Sequence, residues 1–140
     1  MSTAAEFVDT NVLLYAVSTV PAERKKAERA RSLLDRDDLS LSVQVLQEFY
    51  VQATRATKPA RLSHEQASQL IESFLRFPVQ EMTVGVMQAA LATARRFKIS
   101  YWDAAIVEAA RAIGCSVILS EDLSDGQDYG GVRVRNPFLC

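Results

Sequence analysis

The stretch "EFVDTNVLLYA" (6–16) sets Asp9, Thr10 and Asn11 between a short apolar run and a segment with helical periodicity. A strand that feeds directly into a helix is the opening unit of an α/β fold, so this stretch decides the class. The polar trio has an ordinary explanation. Asp, Thr and Asn cap helices, because a side-chain oxygen there accepts a hydrogen bond from a backbone N–H that otherwise lacks a partner. Thr10 and Asn11 suit that job, whereas Asp9 closes the strand, and open α/β sheets bind ligands beyond the carboxyl ends of their strands.

Working outward, further β-like runs occur at "LSLS" (39–42), "VQEM" (79–82), "SVILS" (116–120) and "VRV" (132–134). Segments with helical spacing lie between them: "AERKKAERARSLLD", "VQVLQEFYVQATRA", "HEQASQLIESFLRF", "VGVMQAALATARRFK" and "YWDAAIVEAARAI", punctuated by Pro21, Pro59, Pro78 and Gly114. The alternation predicts a mainly parallel, five-stranded sheet with helices on both faces, in a single domain over 1–140.

Composition removes several functions. Sixteen basic against seventeen acidic residues leave a net charge of −1, so nucleic acid could be held only by local patches. Apolar runs fall short of the roughly 20 residues of a membrane span, and the start "MSTAAEF" lacks a secretory signal. Cys115 and Cys140 have no CxxC spacing and suit a buried small residue and a tail thiol in a reducing, cytoplasmic setting. The single histidine, His64, follows Ser63 of a capping-box spacing with Gln66 and is assigned no role; multi-histidine zinc sites are excluded.

The acids are more informative. Asp9 and Asp122 follow the first and fourth strands, at the carboxyl edge of a parallel sheet. Asp103 lies in the first turn of the helix leading into the fourth strand; such a helix runs against its strand and starts at the same edge. On that helix Asp103 shares an arc with Ile106, Val107 and Ala110, and Glu108 and Arg111 lie on the other side, although the Ser100–Asp103 spacing also suits a cap. Glu48 sits in the second turn of the helix after the second strand, bordering its apolar face. Carboxylates gathered in one place repel unless a cation joins them, and an all-oxygen set favours Mg²⁺ or Mn²⁺. The matching reaction is metal-assisted phosphodiester hydrolysis.

In "VDTN", "LQEFY", "YWDA" and "SED" the four acids are spaced as in the PIN-domain nucleases, and over essentially the whole chain the sequence resembles VapC-type toxins of toxin–antitoxin pairs. The resemblance implies a PIN-like three-layer α/β/α sandwich and a Mg²⁺- or Mn²⁺-dependent ribonuclease that is dimeric and inhibited by a cognate antitoxin. It makes Asp9, Glu48, Asp103 and Asp122 the metal-binding, catalytic carboxylates. Asn11 would order the site, Ser120 stands where many members have threonine, and Asp125 is either an outer ligand or a turn residue before Gly126.

RNA would need basic contacts, for which "ERKKAERAR" (23–31), "RATKPAR" (55–61) and "RRFK" (95–98) are candidates, each also well explained as a solvated helix face or a favourable helix end. Tyr101 and Trp102 could stack on a base but suit core packing better. Glu121 and Asp128 are expected to be loop charges, and Leu13, Leu14 and Tyr15 either core or interface. Two rivals remain: a non-catalytic PIN-like interaction protein and an aspartyl-phosphate phosphatase. Asn11 opposes the second, because an amide cannot replace the acid that chemistry requires.

Overall fold

The computed structural model describes residues 5–139, which leaves the Cys140 thiol and the first four residues outside the description. Five strands, β1 (Glu6–Val8), β2 (Leu39–Ser42), β3 (Val79–Gln80), β4 (Val117–Leu119) and β5 (Arg133–Arg135), form one sheet in the order β3-β2-β1-β4-β5. Every pairing is parallel, with Phe7 opposite both Ser40 and Ile118 and Val8 opposite Leu119. The helices are α1 (Thr10–Ala16), α2 (Arg24–Leu34), α3 (Val43–Ala53), α4 (His64–Phe74), α5 (Val84–Phe97) and α6 (Tyr101–Ala112), with a 3₁₀ turn at Pro21–Glu23.

The strand order explains the layers. From β1 through β2 to β3 the chain steps one way across the sheet; from β3 to β4 it steps back past β1. Right-handed crossovers therefore put α1 to α4 on one face and α5 and α6 on the other. Phe7, Val8, Leu39 and Leu41 are fully enclosed between them. The serines of "LSLS" are buried as well, Ser40 at 2 % and Ser42 at 1 % exposure, so the strand's alternation does not mark a wet face. The alanine-rich α6 comes close to the sheet there, and Ala104 and Ala105 pack with Ala90 of α5. Leu13 is core, and Leu14 and Tyr15 pack against it.

Four helices begin in the same way. Ser42, Ser63, Thr83 and Ser100 each accept a hydrogen bond from the backbone N–H three residues on. Each such cap is worth about 1 kcal/mol. At α4 the box with Gln66 is complete, and His64 sits exposed in the first turn. At α1 the expectation fails: the cap is Asp9, not Thr10 or Asn11, and its carboxylate accepts from Thr10 N. Val43 at once follows β2, so α3 also starts at the carboxyl edge.

Phe49 of α3 is fully buried and meets Phe74 of α4 edge-on at 5.3 Å between ring centroids. Phe49→Ala is expected to lower stability by about 3–5 kcal/mol, read as a shift of the urea midpoint at unchanged slope.

Candidate metal centre

The strand order reverses between β1 and β4, and parallel α/β sheets bind ligands beyond the carboxyl ends of the strands at such a point. Asp9 stands at this point, 7 % exposed. Its Oδ1 accepts from Thr10 N at 2.8 Å, and its Oδ2 accepts from the Ser120 hydroxyl at 2.8 Å and Asn11 Nδ2 at 3.4 Å. Ser120, wholly buried at the end of β4, also accepts from the backbone N–H groups of Asp122 and Leu123 at 3.2 Å. Asn11 Oδ1 accepts from Glu121 N at 3.1 Å. One hydroxyl and one amide thus clamp the β4–loop junction onto Asp9.

Glu48, half-buried, approaches from α3. Its Oε1 accepts from Thr10 Oγ1 at 3.3 Å and from Gln44 Nε2 at 3.4 Å, and the same Gln44 amide donates to Trp102 O at 3.1 Å. Gln44 therefore ties α3 to the start of α6, where Asp103 lies. The Gln44 Oε1 is buried without a partner among the described residues. Gln44 was not a candidate from the sequence, although its position one turn before Glu48 offers the signal.

Asp103 and Asp122 are exposed. For Asp103 this corrects the expectation of an acid inside an apolar arc: Ser100 Oγ accepts from its backbone N–H at 3.1 Å, and its side chain faces outward at the helix start. The acid that α6 buries is Glu108, 6 % exposed, which accepts from Thr93 Oγ1 at 2.7 Å and pairs with Arg111 at 2.9 Å. Arg111 then donates to the carbonyls of Tyr129 and Gly130, pinning the loop before β5. Trp102 is 64 % exposed rather than core.

The remaining candidates have other partners. Asp125 Oδ1 accepts from Asn136 N at 2.7 Å beside Gly126 at φ +82°, which favours the turn role. Glu121 is not a free loop charge: it accepts from Tyr15 and pairs with Lys26. Asp128 accepts from Gly131 N and pairs with Arg133.

Electrostatics unite the four acids. Burial pushes the Asp9 carboxyl up to about 6, and the charges of Glu48 and Asp122 add to this, against the lowering hydrogen bonds from Ser120 and Thr10. Glu48 is raised chiefly by burial and further by Asp103 and Asp122. Yet none of the four has a Lys, Arg or His within ion-pair distance among the described residues. No three acidic side chains among these residues converge into a ready-made cage.

The "PIN domain" family model matches residues 7–124, and the chain belongs to that family. Its fold is shared with a toxin–antitoxin complex from Klebsiella pneumoniae, at TM-score 0.69 and 18% identity over 96% of this chain and 98% of the other. It also matches the sarcin–ricin loop cleaving toxin VapC20 of Mycobacterium tuberculosis, at 0.68 and 20% over 94% and 100%. A third likeness is to DNA-bound VapBC of Salmonella typhimurium, at 0.68 and 18% over 96% and 99%. No curated protein matches the sequence at a significant level.

Asp9 carries a test of its own environment. Its folded value of about 6 lies above the ordinary 3.8, so the native state binds the proton more tightly than the unfolded chain. The associated stability is complete below about 4 and is lost as pH rises through 6, a difference of about 3 kcal/mol. In metal-free buffer, thermal melts are expected to show the wild type losing stability between pH 4.5 and 7.5, relative to Asp9→Asn.

Proposed function

We propose that this chain is a divalent-metal-dependent ribonuclease, the toxin of a toxin–antitoxin pair. The observation that carries the reading is the group of Asp9, Glu48, Asp103 and Asp122 near the switch point, whose charges raise the Asp9 and Glu48 carboxyls and which has no ion-pair partner among the described residues. These four carboxylates would hold Mg²⁺ or Mn²⁺. When bound, the cation supplies positive charge to offset that which accumulates on a phosphodiester under attack.

The chain's own residues prepare the site. Ser120 and Asn11 fix Asp9 Oδ2 in one orientation. Thr10 and Gln44 hold Glu48 by Oε1, leaving Oε2 for the cation or for a proton. Asn11 spends its carbonyl on Glu121 N and its amide on Asp9 and Ser120, so it has no proton to give, which speaks against the phosphatase.

An antitoxin partner is supported by the fold shared with a structure described as a toxin–antitoxin complex. A homodimer is supported by Val84, Met87 and Leu91, an exposed apolar stripe on α5. No helix among the described residues is long and apolar enough to cross a membrane.

Purified, antitoxin-free protein is expected to cleave total RNA or tRNA in Mn²⁺ or Mg²⁺ and to stop on addition of EDTA. Asp9→Asn should lose more than about 100-fold, whereas Ser120→Ala, which removes a hydroxyl that holds Asp9 Oδ2, should lose about 10–100-fold. Metal binding without cleavage of any RNA would favour the non-catalytic interaction protein instead.

A further inference from the structure

A groove of about 860 Å³ runs between the start of α2 and the C-terminal segment 137–139. Arg24, Lys25, Lys26 and Arg29 line one side, and Phe138 and Leu139 the other. Arg29 Nε donates to Pro137 O at 3.1 Å, which fixes the two walls together. The Phe138 ring meets Tyr15 edge-on at 4.9 Å, and Lys26 Nζ lies 5.1 Å above the Tyr15 ring.

A chain of contacts links the basic wall of the groove to the acidic centre. Lys26 pairs with Glu121, Glu121 N donates to Asn11, and Asn11 donates to Asp9. Glu121 is also the chain neighbour of Asp122. By contrast, Arg55, Lys58 and Arg61 follow the far end of α3, an 11-residue helix about 16 Å long whose start lies at the carboxyl edge.

We propose that this groove is the track for single-stranded RNA flanking the cleavage position, a placement that rests on the ribonuclease reading. Single strands are held by a cationic groove that follows the phosphates, together with rings and apolar side chains against the bases. Lys25 and Arg29, one helical turn apart, are spaced by about 6 Å along the helix axis, and with Arg24 at the groove's rim they can take successive phosphates. Lys26 neutralises Glu121 where the strand passes from the basic track to the acidic centre. Lys25 makes no ion pair among the described residues, and Arg24 has only the exposed Glu28.

The test uses the Asp9→Asn chain, which reports binding without turnover, and a fluorescein-labelled, unstructured RNA followed by anisotropy at several salt concentrations. Adding Arg24→Gln and Lys25→Gln should weaken binding about 10-fold or more and reduce the log–log salt slope by about 1.4, as expected for two lost single-strand phosphate contacts. In the otherwise wild-type chain the same pair should raise KM for RNA at unchanged kcat. Arg55→Gln with Arg61→Gln should change none of these values. RNA affinity and slope unaffected by the Arg24 and Lys25 changes, in a protein that cleaves RNA, would overturn the track alone. Loss of binding to a glutamate-rich peptide with RNA binding unchanged would assign the groove to a protein partner and overturn it too. A wild-type chain that cleaves no RNA would remove the ribonuclease reading, and the track with it.

Discussion

The site is built around a carboxylate kept where water cannot stabilise it. Asp9 closes the central strand, caps α1 and is held from β4 by Ser120, so one buried group links the first turn of the fold to the fourth strand. A lone buried carboxylate is costly, and its two strong hydrogen bonds do not fully offset the burial, which leaves its pKa near 6. Glu48 and Asp122 make the local field more negative still. The fold thus maintains an electrostatic deficit that a divalent cation would relieve, and the deficit lies at the reversal of the strand order.

The supports of that deficit come from separate layers. Thr10 and Gln44 reach Glu48 from α1 and α3, and Gln44 continues to the start of α6. On the other side, Arg111, held by buried Glu108, pins the loop that carries Tyr129, whose hydroxyl is raised by burial and by the nearby Asp103. Lys26 and Glu121 form the boundary between the acidic centre and the basic groove. Opposite charges are therefore sorted along one path, with the acids at the sheet and the bases on α2.

Much of this was legible because it follows from periodicity and from the geometry of parallel sheets. The alternation of strands and helices gave all five strands, and the rule that ligands gather at the carboxyl edge brought Asp9, Glu48, Asp103 and Asp122 to one side. Residues whose state depends on what packs across from them were harder. Helical spacing placed Asp103 on the inner arc and Glu108 outside, yet the first turn of α6 leaves Asp103 in solvent while Glu108 lies against Thr93 of α5. Trp102, in the same turn, is exposed as well. Asp125 and Glu121 have partners, Asn136 and Lys26, that no local pattern relates to them.

Calorimetric titration of Mn²⁺ into the chain, repeated in buffers of different ionisation heat, addresses the central claim most directly. Metal must displace the proton that burial keeps on Asp9, so binding at pH 6 should release about half a proton or more, falling towards none at pH 8, and Asp9→Asn should abolish both binding and release. Binding of Mn²⁺ that persists undiminished in Asp9→Asn, or that releases no proton at pH 6, would contradict the account.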